Sequence, residues 1–141
     1  MNSEIWQVVY KQFEFLEKDY GFYLEISDDK FHALGEIVNF IATFWKKQLN
    51  VIIEVVNQKE DYRIETNAIG LLNFDKCFNK QFRSPKKFVE NSKDLVETCE
   101  YYVSIIENHC ISIIYGDFSI WRKVENCLNQ WEKETKNYSW D

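Results

Sequence analysis

The sequence predicts an α+β domain, and three observations carry that prediction. Apolar residues recur every three or four positions near both ends of the chain, the signature of amphipathic helices. Between residues 22 and 69 they instead alternate or run together in β-branched blocks, as in strands. Gly (4) and Pro (1) are too scarce for long irregular loops. Helices flanking a run of strands joined by short turns imply an antiparallel sheet of about four strands, with an N-terminal helix and C-terminal helices packed on one face. At 141 residues the chain is expected to be one domain, spanning 1–141.

The first helix is expected to start at Ser3, a capping type, with Glu4 beside the positive helix end. Ile5, Val9, Phe13 and Leu16 then follow at helical spacing, and Gly21 should end the helix in a left-handed conformation. Phe22, Leu24 and Ile26 alternate with Tyr23, Glu25 and Ser27, a short strand closed by Asp28-Asp29. A second strand is predicted over 36–45, with Ile37, Asn39, Ile41, Thr43 and Trp45 on one face and Val38, Phe40, Ala42 and Phe44 on the other. Both faces are rich in apolar groups, so either helices cover both or one is kept for a partner. A turn at Lys46-Lys47-Gln48, a β-branched strand over 50–57, a polar turn over 58–61 and a more amphipathic strand over 62–69 complete the meander.

After Pro85 the period becomes helical again. Asn91 can cap a helix carrying Asp94 in its first turn, and Leu95, Cys99, Tyr102, Ile106, His109 and Ile113 form its apolar stripe. Gly116-Asp117 reads as a corner before a last helix with Trp121, Val124, Leu128 and Trp131 on one side. A phosphate loop or a catalytic Asp-Phe pair would need a glycine-rich loop and a lysine that this segment lacks.

The net charge of −6 is unevenly placed: residues 1–36 carry eight acids and three bases, whereas 71–91 carry two acids and five bases. An acidic chain repels nucleic acid on average and attracts basic partners, so nucleic acid is not the expected ligand. The stretch FDKCFNKQFRSPKKF (74–88) interleaves Phe74, Phe78 and Phe82 with Lys76, Lys80, Arg83, Lys86 and Lys87. It reads first as a short amphipathic element that buries its rings, and second as an anionic-strand binder. Cys77, Cys99, Cys110 and Cys127 include no C-x-x-C pair, so four reduced thiols, no metal and no cofactor are expected. With no leader-like segment and no run of 18 apolar residues, a cytoplasmic location and no membrane association are expected.

No coherent catalytic set emerges. His109 lies on an apolar stripe as a half-buried residue, and His32 falls in a turn-like segment. A thiol–imidazole pair built on His32 and a Glu54–Glu65 carboxylate pair are the enzymatic options, each without a supporting motif.

The segments CEYYVSIIENHCISIIYGDFSIWRKVENCLNQWEKE (99–134) and FEFLEKDYGFYL (13–24) resemble the closing and opening elements of small bacterial immunity-type proteins. The resemblance covers about a third of the chain and rests on helix ends. It implies a non-enzymatic binder that neutralises a cognate toxin domain by blocking its active site. Asp28, Asp29, Glu60 and Asp61 near turns, with Trp45 and Tyr62, are the expected contacts: carboxylates for a basic site, aromatics for anchoring area. The alternative is a small hydrolase or ligand-binding domain with a pocket between sheet and helices.

Overall fold

Five strands, all antiparallel and in sequential order, make up the sheet that the described residues form. They are β1 (Tyr23–Ser27), β2 (Lys30–Leu34), β3 (Val38–Trp45), β4 (Gln48–Val55) and β5 (Ala68–Gly70). The computed structural model describes residues 3–58, 63–79 and 88–137. Helices α1 (Ser3–Gln12) and α2 (Glu14–Tyr20) precede the sheet, and α3 (Leu72–Phe78), α4 (Ser92–Ile105), α5 (Ile111–Ile114) and α6 (Ser119–Asn137) follow it. The expected α+β architecture is the observed one.

Register explains which residues make the core. Leu24, Ala33, Phe40, Ile53 and Ile69 are cross-strand partners in turn, and all five are buried. The neighbouring inward row, Phe31, Ala42 and Val51, is buried as well. Side chains alternate across a strand, so this registration puts one apolar face of every strand on the same side. Trp6, Val9 and Leu16 from the first two helices and Phe13 between them pack there, with Leu95, Cys99, Tyr102, Ile105, Ile113, Trp121 and Val124 from the C-terminal helices. The Tyr102 hydroxyl donates to the Leu49 carbonyl at 2.9 Å, which satisfies a buried polar group at the helix–sheet contact.

The departures from expectation have local causes. The N-terminal stripe is split at Phe13 (φ −99°, ψ 6°), and the Phe13 ring meets Phe31 with centroids 5.7 Å apart. Asp28 and Asp29 do not simply close a strand. Both have φ of 55° and form a two-residue hairpin turn into β2, so His32 lies in a strand and not in a turn. Lys46 and Lys47 repeat this geometry with φ of 52° and 64° between β3 and β4. The strand expected over 62–69 shrinks to Ala68–Gly70, and the helix α3 follows at once. Glu60, Asp61 and Tyr62 lie outside the described residues, as do the Phe82 and Pro85 portions of the basic segment. Of its other phenylalanines Phe74 is buried, and Phe78 and Phe88 are exposed.

Helix ends follow the sequence closely. Gly21 is left-handed (φ 75°), and the Asn91 side chain accepts from the Asp94 amide at 2.9 Å. Asp94 Oδ2 in turn accepts from the amide of Glu90, the residue before the cap, at 2.9 Å, which gives this buried carboxylate a partner. A π-helical stretch, Ile106–Cys110, joins α4 to α5. Gly116 has φ of 99°, and Asp117 Oδ1 accepts from the Ser119 amide at 2.9 Å, so the corner is a glycine stop followed by a side-chain cap. A Cβ at Gly116 would meet Ile37 Cδ1 at 3.3 Å. Gly116→Val is therefore expected to lower stability by about 1–3 kcal/mol, mainly from the left-handed backbone. Chemical denaturation measures it, and an unchanged midpoint would contradict the corner.

The thiol expectation needs correction. Cys77 on α3 and Cys127 on α6 form a disulfide, with Cα atoms 6.1 Å apart. Only Cys99 and Cys110 are free, and both are buried. The two bridged residues are separated by 50 positions, so spacing alone does not reveal that the folded helices bring them together. No described helix is long and apolar enough to cross a membrane.

Candidate binding surface

The outer face of the sheet contrasts with the inner one residue by residue. Its rows are Tyr23–Leu34–Asn39–Glu54–Ala68 and Glu25–His32–Ile41–Ile52–Gly70, continued by Thr43–Asn50 and Trp45–Gln48. None of these residues is fully buried, and none belongs to the hydrophobic core. The choice left by the two-sided β3 pattern is thus resolved among the described residues: helices cover one face and leave the other open.

This face has a half-buried apolar centre (Leu34, Ile41, Ile52) and two aromatic anchors. Trp45 is 71% exposed at the end of β3, and Tyr23 is 64% exposed at the start of β1. Lys46 Nζ stands 5.9 Å from the Trp45 ring centroid, a cation–π contact. Asn39 braces the centre: its amide nitrogen donates to Glu54 Oε1 at 3.1 Å, and its oxygen accepts from the Gly35 amide at 3.0 Å. Ser27 donates to Glu25 Oε1 at 3.1 Å. His32 Nε2 is shielded from solvent and has no hydrogen-bond partner among the described residues. Wide aromatic and aliphatic groups with polar groups around them suit a protein surface better than a small molecule.

The expected contact residues divide. Asp28, Asp29 and Trp45 sit at one end of the sheet, because the β1–β2 and β3–β4 turns close there. Asp28 and Asp29 are both exposed, but Asp29 Oδ1 accepts from the buried Trp6 indole at 2.8 Å and pins the hairpin to α1. Asp29 therefore has a structural task in addition to its surface charge. Tyr23 was legible as the outward partner of Phe22 and Leu24 in the alternation, yet it was not among the expected contacts. Tyr115, 69% exposed beyond the last turn of α5, carried no signal beyond its place before Gly116.

The enzymatic options fare differently. His32 and Glu54 share the outer face but lie two strands and two residues apart, on the order of 12 Å between Cα atoms. Glu65 accepts from Asn129 Nδ2 at 3.1 Å, whereas Glu54 is held by Asn39, so the two carboxylates belong to separate networks. Cys99 and Cys110 lie in the core on the other side of the sheet from His32. Burial pushes the Cys99 thiol up to about 12 and raises Cys110 too, the opposite of nucleophile activation.

A Tyr–Asp–His cluster joins α3 to α4 and the π-helical stretch. Tyr101 donates to Asp75 Oδ2 at 2.6 Å, and His109 Nε2 lies 3.5 Å from Asp75 Oδ1, an ion pair when the ring is protonated. The His109 ring stacks on Phe78 at 5.6 Å. Desolvation and then the Asp75 hydrogen bond and charge raise the Tyr101 phenol. The half-buried histidine expected from the helical stripe is present, and its partner is this carboxylate. Among the described residues no group of three His, Cys, Asp or Glu is placed to hold a metal ion.

An apolar groove of about 390 Å³ runs between α1, the β3–β4 hairpin and the start of α4, lined by Ile5, Val8, Phe44, Val89 and Leu95 with the Lys47–Glu90 ion pair beside them. No protein-family model matches the chain, and no curated protein or solved structure matches it significantly.

Proposed function

We propose that this chain is a non-enzymatic protein-binding domain of the immunity type, which neutralises a toxin domain by seating it on the open face of the sheet. One observation carries the reading: among the described residues no helix covers the outer face of the five-stranded sheet, and Trp45 and Tyr23 are exposed on either side of its aliphatic centre. The net charge of −6 adds long-range attraction for a basic partner such as a nuclease domain. A cytoplasmic setting fits such a role. There the Cys77–Cys127 pair would meet a reducing thiol pool, and its survival depends on its potential.

Co-purification with the product of the gene immediately upstream tests the reading, since an immunity gene is expected to follow its toxin gene. A one-to-one complex is expected. Trp45→Ala should speed dissociation by at least about thirtyfold if the indole is a central anchor. Asp28→Lys should mainly slow association, with a weaker salt dependence. Absence of any protein partner, together with turnover of a small substrate that is lost in His32→Ala or Glu54→Gln, would overturn it in favour of a hydrolase.

A further inference from the structure

At the end of the sheet away from Trp45, a cavity of about 380 Å³ opens between the α2–β1 junction, the β2–β3 connection and the end of α5. Its chemistry is one-sided. Tyr20, Phe22 and Tyr115 line it together with Glu36, and among the described residues no Lys, Arg or His does. The Tyr20 and Tyr115 rings meet at 65° with centroids 6.2 Å apart, adjacent walls of a corner and not a stack. Aromatic faces are negative, so a corner of two phenol rings attracts a cation that can touch both.

The backbone adds to the same sign. α2 ends at Tyr20 and α5 at Ile114, so two helix C-termini, each the negative end of a peptide dipole array, reach this one cavity. Gly21 leaves room at the wall: a Cβ there would meet nothing within 4 Å. Gly35 is the reverse, packed so that a Cβ would come within 2.7 Å of the Phe22 ring, which holds that ring in place. Glu36 is exposed at the rim of the same site.

We propose that this cavity is a binding site for an organic cation, a guanidinium or alkylammonium head, held against the Tyr20–Tyr115 corner. The site stands on its own geometry and does not depend on the open sheet face having a toxin partner.

The test is a titration of the ¹⁵N-labelled protein followed through the amides of Gly21, Gly35 and Gly116. N-acetylarginine amide should give saturable shifts, and the neutral isostere N-acetylcitrulline amide should not. Tyr115→Ala, at a largely exposed position, should weaken binding about tenfold, whereas Tyr115→Phe keeps the ring face and should retain it. Tighter binding of an Ala-Arg-Ala peptide than of agmatine assigns the cation to a protein side chain; the reverse order assigns it to a free amine. Shifts that fail to saturate with either cation, equal shifts from citrulline, or unchanged affinity in Tyr115→Ala would each overturn the proposal.

Discussion

Replacing Trp121 with alanine is expected to lower the free energy of unfolding by about 3–5 kcal/mol, the range for deleting a large buried aromatic. Trp121 is fully buried in edge contacts with Phe74 and Phe118, at centroid distances of 6.1 and 5.7 Å. Its indole also donates to the Thr66 carbonyl at 3.2 Å, so the substitution removes packing and frees a backbone acceptor. One turn later the buried Glu125 accepts from the Glu65 and Thr66 amides at 2.6 and 2.7 Å, and Arg122 donates to the Arg63 carbonyl. Residues 63–66, which lead into β5, are thus held by a single face of α6. Urea denaturation of the variant should show the full loss. Hydrogen exchange should show early opening at Glu65 and Thr66. A loss below about 1 kcal/mol would mean that the core closes over the gap or that α6 is not its lid.

Removal of the Cys77–Cys127 bridge should have an effect of similar size. The bridge closes a loop of 50 residues between α3 and α6, and a cross-link of that span restricts the unfolded chain by about 4 kcal/mol. Reduction, or the Cys77→Ser/Cys127→Ser pair of changes, should therefore lower the melting temperature by roughly 12 °C for a chain of this size. Thiol titration provides the independent check. In denaturant without reductant only Cys99 and Cys110 should react, and after reduction all four should. Four reactive thiols in the unreduced protein, or a melting point indifferent to reductant, would contradict the bridge. Because the stabilisation acts mainly on the unfolded state, the same variants should leave the outer sheet face and its contacts unchanged.

The two effects meet on α6, which carries Trp121 toward the core and Cys127 toward α3. The helix is amphipathic, yet its later residues are exposed, with Trp131 38% accessible. Its first two turns therefore do most of the anchoring. This agrees with Val124 and Glu125 being buried and Asn129 and Gln130 being exposed.

What the chain determined by itself was local. Gly21 and Gly116 ended helices because only a residue without Cβ adopts φ of 75° or 99° freely, and Asn91 capped because its side chain reaches the Asp94 amide. The alternation at Phe22–Ser27 and along β3 read as strands because side chains alternate across a pleat. Strand β2 was hidden because its hairpin turn is Asp-Asp and lacks the glycine that usually marks such turns. Only tertiary structure decided the rest. Whether Ile41 and Ile52 face helices or solvent depends on which side of the sheet the distant helices pack, and nothing in their own alternation says so. The disulfide, the Tyr101–Asp75–His109 cluster and the Tyr20–Tyr115 corner join residues 26 to 95 positions apart. Such pairings follow from the packing of whole helices against the sheet, a sum of many weak apolar contacts that no single segment of the chain contains.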